Sequence, residues 1–161
     1  MKIIILLLLL ITALFSNVQI SYFEQKDLSN EQAPLKETFT PLKSNKSNFG
    51  FTSSIFWVKV ELLNSTETST KRVLALEYAL LDYIDIYELV DGVLILKKEM
   101  GDLRKYNYDS LLNSPTYYVA LEAGEKKTLI YRVQTQSSMN LHMKHMDYEE
   151  YVGFALQESK A

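Results

Sequence analysis

With 161 residues, of which 47% are hydrophobic, 12% aromatic and 23% charged, the chain is long enough for one self-standing core and too apolar to stay disordered. Its formal net charge of -3 gives no electrostatic footprint for nucleic acid or for an anionic membrane surface. The absence of cysteine excludes disulfides, thiolate nucleophiles, Cys-based zinc sites and a lipid-modified cysteine anchor.

The chain opens on Met1, Lys2 and a thirteen-residue apolar run from Ile3 to Phe15. This is the layout of a secretory signal peptide, and the run is shorter than the ~20 residues that span a bilayer. Residues 1–16 are therefore read as a leader cleaved near Ser16, and left uncleaved the same run would serve as an N-terminal membrane anchor. Either way the rest of the chain is expected to be exported to the periplasm. Losing Lys2 with the leader would move the charge from -3 to -4.

Residues 17–47 read as a lead-in. Val18, Ile20 and Tyr22 alternate and predict a first edge strand. The following stretch, with Pro34 and Pro41 among Ser, Asn and Lys, reads as a loop with at most a helical turn, pinned by Phe39 and Leu42.

Residues 48–151 have the punctuation of a β-sandwich, within a domain of 18–151 overall. In the strand that follows Gly50 to Ser54, Phe56, Val58, Val60 and Leu62 recur with period two, while Lys59 and Glu61 take the other face. Strands are predicted over 73–78, 83–89 and 93–97, the last two joined by Asp91-Gly92, a strong two-residue hairpin signal. An irregular segment from Gly101 to Pro115 leads to strands over 116–121, 127–135 and 139–146. Asp147 with Glu150 has the form of a capping box, so a short C-terminal helix is expected from Tyr148. Residues 152–161 are left as a tail. About eight strands and almost no helix predict an all-β fold, an antiparallel β-sandwich of jelly-roll type.

These residues also carry a family resemblance. Gly50-Phe51-Thr52-Ser53-Ser54, Phe56-Trp57-Val58, Asn64, Leu80 to Tyr87, Gly101-Asp102, Leu121 to Glu125 and Leu129 to Val133, in that order and spacing, resemble the type 2 extracellular domain of bacterial seven-transmembrane receptors with diverse intracellular signalling modules. The resemblance spans roughly 18–151. It implies a periplasmic sensor domain with a jelly-roll similar to carbohydrate-binding domains, placed ahead of a membrane bundle that drives a kinase or cyclase. The family plan continues into seven membrane helices, whereas this sequence stops at Ala161. Its partners would then be an unknown small ligand, with carbohydrate as the candidate class, and a membrane-embedded signalling partner.

Two candidate ligand-binding features follow from strand parity. Trp57, the only tryptophan, falls on the face of Lys59 and Glu61 rather than with Phe56 and Val58. It is either covered by the lead-in or by the 103–115 segment, or it forms one wall of a ligand cleft. Tyr83, Asp85 and Tyr87 share one face at about 6.6 Å intervals. Two rings that can cover C-H faces, flanking a carboxylate that accepts hydroxyl hydrogens, suit a sugar.

No cofactor, metal site or catalytic residue is expected. His142 and His145 are three apart on a predicted strand and would point to opposite faces, unless the strand is broken there. The chain has no EF-hand spacing, no nucleophile-elbow motif and no phosphate-binding glycine loop. The preferred reading is a non-enzymatic sensor module. The alternative is a stand-alone exported carbohydrate-binding or adhesion module, and a hydrolase is disfavoured for want of a visible nucleophile.

Overall fold

The structure, a computed structural model, describes residues 17–28, 33–104, 111 and 113–158. In chain order its strands are β1 (Asn17–Gln25), β2 (Thr40–Pro41), β3 (Asn48–Phe51), β4 (Ile55–Leu63), β5 (Thr70–Leu76), β6 (Tyr83–Val90), β7 (Val93–Met100), β8 (Thr116–Leu121), β9 (Lys126–Gln134), β10 (Ser138–Asn140) and β11 (Met143–Asp147). A single-turn helix α1 (Ala33–Lys36) and a terminal helix α2 (Tyr148–Glu158) complete it. The expected leader lies outside the described residues.

Six strands form one long antiparallel sheet in the order β2-β1-β4-β9-β6-β7. A three-stranded sheet, β11-β5-β8, and a two-stranded one, β10-β3, complete the set. Period-two alternation on β4 sends Phe56, Val58, Val60 and Leu62 into the core between the sheets. Ile84 and Ile86 of β6 and Leu129, Tyr131 and Val133 of β9 join them from the same sheet. Leu74, Leu76, Val119, Leu121 and Met139 complete that core from the other sheets. The all-β sandwich expected from the sequence is the observed fold, with eleven strands among the described residues rather than about eight. Three of the eleven, β2, β3 and β10, have four residues or fewer.

Two local differences have physical causes. The first strand is longer than its alternation suggested and is not an edge, because Ser21 and Tyr22 pair with Pro41 and Thr40 of β2 outside it. The stretch read as one strand over 139–146 is two. Asn140 Oδ1 accepts the His142 N–H at 3.1 Å, and the Leu141 N–H turns instead to Ser47 O at 2.8 Å. The chain thereby leaves β3 and joins β5. A side chain that offers the backbone a local partner is a standard strand breaker.

Turn chemistry fixes the register elsewhere. Asp91 and Gly92 both have positive φ, 50° and 78°, as the tight hairpin between β6 and β7 requires. Gly101 has φ 131°, and a Cβ there would lie 2.1 Å from the Asp82 carbonyl oxygen. Only glycine lets the chain pass this close, so that Asp102 N–H and Leu103 N–H can donate to Leu81 O and Asp82 O at 2.8 and 3.3 Å. Helix α2 lays Tyr148 and Tyr151 against Val73, Met146 and Tyr118. It thus covers the outer face of the three-stranded sheet. The carboxylate of Asp147, just ahead of it, pairs with Arg72 of β5.

Candidate functional site

On the long sheet's outer face, antiparallel register aligns one residue from each of five strands. Phe23 of β1 lies opposite Trp57 of β4, Trp57 opposite Arg132 of β9, Arg132 opposite Asp85 of β6, and Asp85 opposite Glu99 of β7. This row is where the sequence-derived residues meet. Trp57 does take the face opposite to Phe56 and Val58, but that face carries a second, smaller core rather than open solvent.

Trp57 is 5% exposed and clusters with Ile55 and Ile130. Phe23, Phe39, Tyr87, Leu89 and Leu94 pack against this cluster. The cover therefore comes from the lead-in, through Phe39, and from both neighbouring sides of the sheet. The indole Nε1 donates to Gln25 Oε1 at 2.6 Å, and Gln25 is itself buried, its amide nitrogen donating to Asp27 O at 2.7 Å. A buried indole needs such an acceptor. Burying an indole removes ~200 Å² from water and contributes on the order of 5 kcal/mol as an upper bound. Lys59, on the same face as Trp57, lies 5.2 Å from the centre of the Phe39 ring. Its stem helps to roof the cluster.

Asp85 is 7% exposed, between two guanidinium groups. It pairs with Arg104 and, at 3.5 Å, with Arg132. Arg104 also approaches Glu99 at 3.7 Å, donates to Ile84 O at 3.3 Å and sits 5.4 Å from the centre of the Tyr83 ring. Two carboxylates and two guanidiniums thus cancel in formal charge. Tyr83 is exposed, and Tyr87 is half-buried with its ring 6.4 Å from that of Trp57. Burial, and then the Asp85 carboxylate, raise the Tyr87 phenol above its usual pKa. At neutral pH it is a hydroxyl donor.

The structure thus brings Tyr83, Asp85 and Tyr87 onto one face and places Trp57 beneath Tyr87, within the sealed cluster. Arg132 and Arg104 were missed by sequence reasoning. Strand parity could have supplied Arg132, which shares the outer face of β9 with Ile130. Arg104 lies in the irregular segment after β7, where no periodicity points to a face.

The outer face continues to the rim of the sandwich. Tyr83 pairs with Gln134 at the end of β9. Gln134, Asp82 and the turn after Phe51 border a groove of about 510 Å³.

A separate recess contains both histidines, because the strand break at Leu141 and His142 lets His142 and His145 line the same space. There Ser47 Oγ lies 3.5 Å from His142 Nδ1, and His142 Nε2 lies 3.0 Å from Glu77. The succession has the members of a nucleophile triad, but the buried Ser47 hydroxyl donates to Ser44 O at 3.1 Å. Its proton is committed to that carbonyl rather than to the imidazole. Among the described residues no group of three His, Cys, Asp or Glu side chains is placed to hold a metal ion.

A family model described as 7TMR-DISM extracellular 2 matches residues 17–147. The matched range runs from the first residue of β1 to the last of β11, and α2 lies beyond it. Among curated individual proteins none matches the chain.

Proposed function

From the premise that the chain belongs to the 7TMR-DISM extracellular 2 family, the type 2 extracellular sensor domains of seven-transmembrane receptors, we propose that it binds a small ligand on the outer face of its long sheet. Binding there is relayed to a membrane-embedded signalling partner. The apolar run from Ile3 to Phe15 behind Lys2 directs the domain across the inner membrane into the periplasm. Its task is recognition rather than chemistry, with carbohydrate as the ligand class that the exposed groups suit.

The observation that carries the site is the convergence of Tyr83, Asp85 and Tyr87 with Arg132 and Arg104 on one face. Their roles differ. Tyr83 presents its ring and hydroxyl, and Tyr87 its hydroxyl. Asp85 holds the two guanidiniums in place, leaving their outward N–H groups to donate. Trp57 is the floor on which Tyr87 rests, not a wall that the ligand touches.

A thermal-shift screen of the full chain against sugars, peptides and divalent ions tests this directly. A ligand present at about 100 times its Kd adds ~2.7 kcal/mol to the stability of the folded state. The expected result is a shift with one sugar that is lost in Tyr83→Ala and Tyr87→Ala. An undiminished shift in both variants would place the ligand elsewhere. Asp85→Ala is a poorer probe, because it strands two guanidiniums and confounds binding with stability.

A further inference from the structure

We propose that the groove at the sandwich rim, between Phe51 and Asp82, is a saccharide-binding site selective for neutral over anionic sugars. This deepens the reading of the chain as a ligand-binding sensor and rests on it, but it concerns a site separate from the Tyr83 and Tyr87 patch.

One wall of the groove is an aromatic platform. Phe51 is 84% exposed, more than any other large hydrophobic side chain among the described residues. A single exposed apolar residue needs no explanation. This one is distinctive because its backbone is fixed at the mouth of a groove. Phe51 pairs with Ser138 across β3 and β10. The preceding Gly50 takes φ 70°, its N–H held by Asn48 Oδ1 at 2.9 Å, and Ser138 Oγ donates to the same Asn48 oxygen at 3.1 Å. The ring is thus mounted on an ordered turn with its faces open to solvent. A ring so mounted can cover the C-H face of a pyranose at little cost in chain entropy.

Asp82 supplies the groove with an acceptor. Asp82 is 8% exposed and borders the groove. Its Oδ2 accepts the Gln136 N–H at 2.7 Å, and its other carboxylate oxygen has no hydrogen bond among the described residues. The backbone behind it is clamped by the close passage of Gly101 and by the Leu103 N–H. The carboxylate therefore offers a lone pair at a fixed point. Ser53 and the amide-bearing Gln134 and Gln136 also line the groove and carry groups that can donate and accept, whereas the Thr52 hydroxyl is engaged by Ser54, donating to its Oγ and accepting its N–H, each at 3.1 Å.

Charge selects among hydroxyl-rich ligands. Among the described residues that border the groove none is Lys, Arg or His and Asp82 is the one ionisable group, Arg132 reaching it only through Gln134, to whose Oε1 its guanidinium donates at 3.3 Å. A uronate or a phosphate would meet a carboxylate with no cation among the described lining residues to offset it, whereas a neutral sugar hydroxyl can donate to it. The volume of about 510 Å³ falls within the ~300–1,000 Å³ of small-molecule sites.

The test is isothermal titration calorimetry of the full chain. The probes are the neutral oligosaccharides of β-linked glucose, xylose, mannose and N-acetylglucosamine, with oligogalacturonate as the anionic control. We expect at least one neutral oligosaccharide to bind and oligogalacturonate not to bind. Affinity should fall by about tenfold or more in Phe51→Ala and be retained in Phe51→Tyr. Circular dichroism confirms that Phe51→Ala remains folded. Unchanged affinity of every neutral oligosaccharide in Phe51→Ala would overturn the groove, and a sugar lost in Tyr83→Ala alone would belong to the sheet-face patch. Binding of oligogalacturonate as tight as that of the neutral sugars would overturn the charge argument. No binding by any neutral probe would overturn this inference, while the sensor reading would still be judged by its own wider screen.

Discussion

Single residues decide several features of this domain that hydrophobic pattern alone does not. Gly101 is the clearest, because its positive φ and the closeness of the Asp82 carbonyl leave no room for a Cβ. Gly101→Ala should cost at least ~2 kcal/mol, read as a lowered midpoint in denaturant with an unchanged slope. It should also disturb the rim groove, whose Asp82 wall the same passage holds. Glu125 gives a pH prediction. Its Oε2 accepts the Glu122 N–H at 2.7 Å in the turn between β8 and β9, and this hydrogen bond, more than the nearby Lys127, lowers its pKa below 4.5. A carboxylate whose folded pKa is depressed adds stability that is present above its unfolded pKa and is lost as pH falls through the folded one. Glu125→Gln should therefore lose stability near neutral pH and flatten the fall in melting temperature below about pH 4.5. An acid limb as steep as that of the parent chain would count against this role.

At the scale of elements, Asn64 ties two loops into one corner. It is fully buried, its amide nitrogen donating to Thr68 O and Glu122 O, each at 2.8 Å, and to Leu121 O at 3.3 Å. Its side-chain oxygen accepts from the N–H and the hydroxyl of Thr66. The loop after β4 is thus sewn to the turn after β8, and Asn64→Ala would leave several of these groups without a partner. A loss of about 2–4 kcal/mol is expected in chemical denaturation. A loss under ~0.5 kcal/mol would mean that water replaces the amide.

The same scale shows what the sequence could disclose. The parity of β4 separated Phe56, Val58, Val60 and Leu62 from Trp57, and the structure keeps that division. The hairpin at Asp91-Gly92 and the helix from Tyr148 were also legible, because each rests on local chemistry. The second core was not. Lys59 and Glu61 mark their face as polar, and the rings that cover Trp57 come from Phe23, Phe39 and Tyr87, which are distant in sequence. Nor could the ion cluster be read, since Arg104 reaches Asp85 from a segment without period. The break between β10 and β11 was missed because Met139 to Met146 alternates well enough for one strand, and the competing Asn140 turn wins only with Ser47 at hand.

For the molecule as a whole, a long sheet apolar on both faces explains how a domain without disulfides is held together and where it can receive a ligand. One face builds the sandwich. The other seals Trp57 beneath Phe39 and Tyr87 and leaves Tyr83 and the rim exposed to ligand. Recognition on this account belongs to groups around the indole and not to the indole itself. Because the chain has a single tryptophan, its fluorescence reports on that arrangement alone. The emission should be blue-shifted from that of indole in water and poorly quenched by acrylamide, with no gain in protection when a saturating sugar is added. A red-shifted, readily quenched emission that becomes protected on adding sugar would place Trp57 in an open cleft and contradict the account.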